Sequence, residues 1–131
     1  LPTIWADKTQ IRQLLQNLIA NALKFQSEGR QPLVCLDSEL LPAEDSLPER
    51  VRLTVRDNGI GFEDQFADRI FGVFQRLHSR GEYDGTGIGL AICRKIAERH
   101  QGQITAHGKP GEGAEFIVTL PLHPVPKEGV S

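Results

Sequence analysis

The stretch that decides the fold is Asn17-Leu-Ile-Ala-Asn-Ala-Leu-Lys-Phe25, because it combines an apolar helix stripe with an unusual polar face. Apolar side chains over residues 7–25 recur about every 3.6 residues, the period of an α-helix. They are Ile11, Leu14, Leu15, Leu18, Ile19 and Ala22. Asp7 is the expected N-cap, and Gln10 follows three residues later, close to a capping box. We therefore predict one long amphipathic helix over residues 7–25.

The polar face of this helix has two interpretations. Gln13, Asn17, Asn21 and Lys24 recur at helical spacing, so they share one narrow side. Burying amides and an ammonium costs free energy unless they find partners. In one interpretation the carbonyl of Asn21 binds a hard cation such as Mg²⁺, which prefers oxygen ligands, and Lys24 meets phosphate oxygens. The other interpretation is a solvated helix face, and the helix alone does not decide between them.

A glycine turn follows the strand that the alternating Val51, Leu53 and Val55 predict. The turn is Asp57-Asn-Gly-Ile-Gly61. In one interpretation the Asp57 carboxylate accepts a hydrogen bond from the exocyclic amine of a base, and the glycines let the backbone approach the ring closely. The alternative is an ordinary turn, because Asn and Gly tolerate positive φ.

A second glycine segment, Gly85-Thr-Gly-Ile-Gly-Leu90, opens a helix predicted from about Gly87 to His100. It is not a dinucleotide fingerprint, which needs a glycine where Leu90 stands and a strand directly before it. It is not a P-loop either, since no Gly-Lys-Ser/Thr follows. Free N–H groups at a helix N-terminus suit a phosphate. The alternative is a hinge with close helix packing.

Between the two glycine motifs lies Phe71-Gly-Val-Phe74, at the end of a short helix expected over residues 65–74. The phenylalanines and Leu77 have helical spacing, which predicts a small satellite core for at least one of them. Arg76 is the functional candidate here, because a planar guanidinium suits a phosphoryl group. Residues 75–86 lack periodicity and are expected to form a flexible loop.

The rest of the pattern predicts an α+β fold. The remaining expected elements are a short apolar strand over Leu33–Leu36, an irregular surface connection over 37–50, a C-cap at Gly102, and a hairpin of strands Gln103–His107 and Glu115–Leu120. Together these elements indicate a two-layer α/β sandwich, in which about three helices cover one face of a mixed β-sheet.

Composition limits the function classes. The chain has 131 residues, with 15 basic and 17 acidic side chains and a net charge of −2. Non-specific nucleic-acid binding would require a basic surface instead. No apolar run approaches the ~20 residues of a membrane span, and no signal peptide precedes the first helix. The sequence starts at Leu1 without Met, so we expect a fragment of something longer.

Cysteine and histidine positions give no sign of a metal site. Cys35 and Cys93 lie in apolar segments and are expected to be buried free thiols in a reducing compartment. The four histidines are His78, His100, His107 and His123. None has an acid or cysteine at metal-ligand spacing, so they are expected to be surface or packing residues.

In order, spacing and flanks, these motifs resemble the GHKL superfamily of ATPases and kinases, in particular the ATP-binding catalytic domain of bacterial sensor histidine kinases. The resemblance covers about Trp5 to Pro121. Residues 76–87 look most like kinases attached to phytochrome-type and PAS-type sensors. The resemblance implies the GHKL (Bergerat) sandwich, a catalytic domain over residues 1–121 and a flexible tail over 122–131.

The resemblance also implies a role for each motif. Residues 17–25 look like the N box, 57–61 the first glycine box, 71–74 the F box and 85–89 the second glycine box, with the ATP lid between the last two. Asn21 is the implied Mg²⁺ ligand, and Asp57 is implied to read adenine. Residues implied to bind the nucleotide are Asn21, Phe25, Asp57, Gly59, Gly61, Phe74, Gly85, Thr86, Gly87, Ile88, Gly89 and Leu90. Those implied to serve phosphoryl transfer are Asn17, Lys24 and Arg76.

The activity implied by the resemblance is binding of Mg-ATP and transfer of the γ-phosphoryl group to a histidine. That histidine would lie on an upstream dimerisation hairpin, absent from this fragment, in a homodimeric parent protein. An aspartate on a response regulator would then accept the group. We expect the fragment to be cytoplasmic even if its parent is membrane-anchored, to contact neither membrane nor nucleic acid, and to bind ATP without phosphorylating itself.

Asn17 bears on the choice among superfamily members. ATP-hydrolysing relatives carry Glu one helical turn before the magnesium Asn, as general base for water, and an amide cannot accept a proton at neutral pH. Two alternatives are a non-catalytic nucleotide sensor and an anti-sigma-type protein-serine kinase; Asn17 and the long lid argue against the second. Gly72-Val73 departs from the acidic residue and Pro common there in the family, which bears on lid stiffness rather than on ATP binding.

Overall fold

The element order follows from the computed structural model, which describes residues 7–26, 28–67, 69–71 and 87–123. The elements are α1 (Lys8–Lys24), β1 (Val34–Leu41), β2 (Arg50–Asp57), two 3-10 turns (Asp64–Phe66 and Arg69–Phe71), α2 (Gly87–Arg99), β3 (Gln103–Lys109) and β4 (Gly113–Pro121). This arrangement confirms the predicted two-layer α+β sandwich.

Helix α1 begins where the sequence predicts it. The Asp7 carboxylate accepts a hydrogen bond from the Gln10 backbone N–H at 3.0 Å, so Asp7 is the N-cap. The return bond of a capping box is missing, because the buried Gln10 Oε1 has no hydrogen-bond partner among the described residues. Leu14 and Leu18 are fully buried and face the sheet. The apolar stripe thus docks α1 and leaves its polar face for other contacts.

The sheet has the order β1-β2-β4-β3. Every described strand pair is antiparallel, so the mixed sheet that we expected is not found in the described part of the chain. The inward side chains of β2 confirm the predicted alternation, since Val51, Leu53 and Val55 are buried. The core lies between this face and the two helices; its strand side is completed by Ile104, Ala106, Phe116, Val118 and Leu120.

Strand β1 is longer and more exposed than predicted. It spans eight residues, so much of the expected irregular connection over 37–50 is strand. Its acids misled the prediction: Glu39 pairs with Arg52 at 2.7 Å and Asp37 with Arg56 at 3.2 Å across the β1–β2 ladder. Cys35 lies on this edge strand and is exposed, which contradicts the expected burial, whereas Cys93 is buried and free as expected.

The C-terminal cap of α2 is shifted by one residue from the prediction. Gln101 rather than Gly102 takes the left-handed conformation, with φ 61°. The N–H of Gly102 donates to Ala97 O at 2.8 Å and that of Gln101 to Glu98 O at 3.0 Å, the two bonds of a Schellman motif. Gly102 is needed for a different reason, since a Cβ there would collide with the carbonyl oxygen of Thr119.

Within the described part of the short helix expected over residues 65–74, the structure has only the two 3-10 turns. Phe71 is buried and packs edge-on against Phe116, with ring centroids 6.2 Å apart, so it joins the main core rather than a satellite. Residues 72–86, which include the rest of the F box and the lid, lie outside the described residues. None of the described helices is long and apolar enough to span a bilayer.

Candidate nucleotide-binding site

The polar face of α1 lies against the first turn of α2. Asn17 Nδ2 donates to the carbonyl oxygen of Gly89 at 3.5 Å, across 72 positions of sequence. Below this contact the Cys93 thiol donates to Leu14 O at 3.6 Å, and burial raises the pKa of the Cys93 thiol to about 12. The N box and the second glycine box therefore face each other, with Asn17 between the helices.

Asn21 and Lys24 lie further along the same face. Asn21 is half-buried and Lys24 is exposed. The amide of Asn21 makes no hydrogen bond with any described side chain or backbone group, so its oxygen remains available to a cation. In the described ranges no group of three or more His, Cys, Asp or Glu could hold a metal ion. A Mg²⁺ ion at Asn21 would take its other ligands from phosphate and water, which is how this ion is commonly held.

The end of α1 meets the first glycine box through close backbone contacts. The Ile60 N–H donates to Phe25 O at 2.9 Å. A Cβ at Gly59 would collide with that same carbonyl oxygen, and a Cβ at Gly61 with the carbonyl oxygen of Lys109. Both glycines are thus required for packing of protein backbone, and Gly61 also has a positive φ of 68°.

Asp57 is the half-buried carboxylate of this region. Its Oδ1 accepts hydrogen bonds from the N–H groups of Gly59 at 2.8 Å and Ala114 at 3.3 Å. Desolvation raises the pKa of the Asp57 carboxyl, and the two backbone hydrogen bonds counteract part of that rise. No described residue donates to Oδ2, so one oxygen is held by the protein and the other is left for a ligand.

Two residues that support this loop were missed by the sequence analysis. Asn58 accepts from the Leu33 N–H at 2.9 Å and donates to Gln31 O at 2.9 Å, which fastens the turn to the segment before β1. Arg30 donates to Gly111 O at 2.5 Å, and the Gly111 N–H donates to Ile60 O at 2.7 Å. Their sequence signal was weak, because these contacts join positions far apart in the chain.

The predicted site residues fall into two groups. Those within the described residues lie at the end of α1, in the first glycine box or at the start of α2; they are Asn17, Asn21, Lys24, Phe25, Asp57, Gly59, Gly61, Gly87, Ile88, Gly89 and Leu90. The Asn17–Gly89 and Phe25–Ile60 contacts place α1 next to both of the other segments. Phe74, Arg76, Gly85 and Thr86 lie outside the described residues.

Comparison with known proteins gives a consistent result. The family model described as "Histidine kinase-, DNA gyrase B-, and HSP90-like ATPase" matches residues 6–124. Cyanobacterial phytochrome A from Nostoc sp. (strain PCC 7120) is 53% identical over 122 residues, which cover 93% of this chain and 15% of the phytochrome. This chain therefore spans less than a sixth of the length of that relative.

Two solved structures share the fold and more than 30% of the sequence. The crystal structure of full-length ShkA in complex with AMPPNP has a TM-score of 0.75 and 33% identity, covering 97% of this chain and 24% of that one. The nucleotide-free catalytic domain of the histidine kinase ThkA has a TM-score of 0.70 and 32% identity, covering 91% of this chain and 71% of that one.

Proposed function

Because the chain belongs to the family of histidine kinase-, DNA gyrase B- and HSP90-like ATPases, and is a histidine kinase ATP-binding domain, we propose that its groove binds Mg-ATP and presents the γ-phosphoryl group to a histidine. The groove is the space between the end of α1, the first glycine box and the start of α2. The observation that carries the proposal is that α1 contacts both the first turn of α2 and the turn that follows the anchored Asp57 carboxylate, and bears Asn21, whose amide has no hydrogen-bond partner among the described residues.

Each end of the groove suits one part of the nucleotide. Asp57 Oδ2 accepts the hydrogen bond of the adenine amine, next to Phe25 and the glycines of the first box. The Asn21 oxygen binds Mg²⁺, which neutralises phosphate charge when bound. Lys24 and Arg76 offset further charge, and the glycine-rich segment of residues 85–90 contacts the phosphates at a helix N-terminus. The F-box residue Phe74 completes the proposed nucleotide contacts.

Transfer to an imidazole, rather than to water, is the proposed reaction. Phosphoryl transfer relies mainly on positioning and charge neutralisation around a loose transition state. Asn17 cannot act as a general base, and its amide already donates to Gly89 O, so water receives no activation from this residue. Asn17 instead serves transfer by holding the phosphate-binding end of α2 against the N box.

The partners follow from this reaction. The acceptor histidine lies on a dimerisation hairpin of the parent protein, which works as a homodimer and passes the group to a response regulator in two-component signalling. The domain acts in the cytoplasm, without direct contact to a membrane or nucleic acid. These points concern the whole parent protein, of which this chain is a part.

The first prediction is that the fragment binds ATP and does not label itself. Isothermal titration should detect ATP binding in Mg²⁺, and EDTA should weaken binding of ATP more than that of adenosine, since the metal contacts phosphates. Incubation with γ-³²P-ATP should label an added kinase hairpin that carries the acceptor histidine, and leave this chain unlabelled. Phosphohistidine on this chain would contradict the proposal, and ATP binding without transfer to any hairpin would favour a nucleotide sensor.

A further inference from the structure

The hairpin between β3 and β4 contacts Asp57, the candidate base-reading carboxylate. Ala114 pairs with Asp57 in the β2–β4 ladder, and its N–H donates to Asp57 Oδ1 at 3.3 Å. Gly113 has a φ of 129°, and a Cβ there would collide with the carbonyl oxygen of Asp57. The backbone of the hairpin therefore lies directly against Asp57 because residue 113 has no side chain.

The hairpin itself is held in place by three hydrogen bonds. The Gly111 N–H donates to Ile60 O at 2.7 Å, and Arg30 Nη2 donates to Gly111 O at 2.5 Å. Within the turn, the Glu112 N–H donates to Lys109 O at 3.0 Å. The Gly111–Ile60 hydrogen bond connects the hairpin to the first glycine box. The N–H of Ala114 therefore has a fixed position relative to the N–H of Gly59, which is the other donor to Asp57.

We propose that Gly113 and Ala114 are positioning residues that set the purine specificity of this site. They hold Oδ1 so that Oδ2 of Asp57 faces the ligand, and the site thereby selects a 6-amino purine nucleotide over a 6-oxo one. This inference rests on the proposed function. An ionised carboxylate is only an acceptor, so it pairs with an amino group and repels a carbonyl oxygen. A carboxylate that is free to rotate or to bind water would discriminate less.

The test compares the affinities for ATP and ITP, which differ at the 6-position, in the wild-type chain and in Gly113→Ala. The matched control is Gly29→Ala, since Gly29 also has a positive φ, 75°, but a Cβ there meets nothing within 4 Å. We expect the wild type to prefer ATP by tenfold or more, Gly29→Ala to keep this ratio within about twofold, and Gly113→Ala to reduce it about tenfold or more. A folded Gly113→Ala protein with the wild-type ratio would overturn the inference.

A second variant keeps the inference testable where Gly113→Ala does not fold. In Asp57→Asn the two N–H donors select the amide oxygen at the Oδ1 position, which turns the NH₂ group towards the ligand. The preference should therefore reverse in favour of ITP. An equal loss of affinity for ATP and ITP in Asp57→Asn would overturn the proposal that the two N–H groups anchor Oδ1. A wild type that binds ATP and ITP with equal affinity would overturn it as well. A wild type that binds neither would overturn the proposed function together with this inference.

Discussion

At the scale of single residues, two opposing effects act on the carboxyl pKa of Asp57. Its half-buried position raises the pKa of its carboxyl through desolvation, so ionisation is less favourable in the folded chain than in the unfolded one. The hydrogen bonds from Gly59 and Ala114 recover part of that loss. A residue that only terminated β2 would not need a charge here, which is why we interpret Asp57 as a ligand-binding group that reduces stability.

The residue-scale prediction follows from the sign of this pKa shift. A carboxyl with a raised folded pKa favours folding when protonated, and this contribution is lost as pH rises through its unfolded value of about 3.9 to its folded value. Asp57→Asn should therefore unfold at a slightly higher urea concentration than the wild type at pH 7, and the gain should be small because solvent screens a half-exposed group. The gain should disappear near pH 3. A variant less stable than wild type at pH 7 would contradict this account.

At the scale of elements, one side-chain amide links the polar face of α1 to the first turn of α2. Asn17 Nδ2 donates to Gly89 O, which is in the first turn of α2 and next to the segment proposed to bind phosphates. A donor at this position fixes the distance between the N box and the second glycine box. The identity of the side chain therefore matters for the geometry of both motifs, even though it lies on the outer part of the α1–α2 interface.

The element-scale prediction concerns Asn17→Asp, which removes the donor and places a carboxylate oxygen against the Gly89 carbonyl. We expect loss of about 1–2 kcal/mol in unfolding free energy and a tenfold or greater loss of ATP affinity. The affinity for adenosine, which lacks phosphates, should change much less. Gln13→Glu is the control, because Gln13 is exposed on the same face of α1 and carries the same change of amide to acid. Equal losses for ATP and adenosine would mean a general structural role.

Elements whose signal is local could be predicted from the sequence. The apolar period gave α1 and its N-cap Asp7, and strict alternation gave β2. Strand β1 was predicted only as far as Leu36, because the acids that follow resemble a loop until strand pairing places Arg52 and Arg56 beside them. The left-handed conformation of Gln101 was missed because Gly102 was predicted as the C-cap. The close approach of the Thr119 carbonyl oxygen, and not the cap, explains why residue 102 is a glycine.

At the scale of the whole molecule, His100 connects the two ends of the helical layer. It is 8% exposed, and its Nδ1 donates to Ile96 O at 2.8 Å. Its Nε2 accepts from the Asp7 N–H at 3.0 Å, across 93 positions of sequence. The ring is therefore neutral, with the proton on Nδ1. The sequence analysis left His100 as either a surface or a packing residue, because periodicity carries no information about a contact between the start of α1 and the end of α2.

The whole-molecule prediction is that His100→Leu lowers the unfolding free energy by about 2–3 kcal/mol, because it leaves the Asp7 N–H without its acceptor in a partly buried position. Urea denaturation followed by circular dichroism measures this loss. His107→Leu serves as control, since the His107 side chain is 58% exposed, and should change stability by less than about 0.5 kcal/mol. Similar losses in the two variants would refute the connecting role of His100.

In the candidate groove too, some features could be predicted from the sequence and others could not. The motifs could be found in the sequence because each contains an unusual combination of amides, acids or glycines. Their mutual arrangement depends on backbone contacts such as Ile60 to Phe25 and Gly111 to Ile60, which leave no local pattern. The contact between the β3–β4 hairpin and Asp57 likewise leaves no local pattern in the sequence.

Strand β1 has a consequence for how copies of this domain behave near one another. Among the described strands it pairs only with β2, and a long edge of this kind can recruit a foreign strand and start fibre growth. Asp37 and Glu39 stand at alternate positions, so an incoming identical strand would bring acid against acid. In such a pairing, repulsion between these acids would oppose edge-to-edge association of two copies.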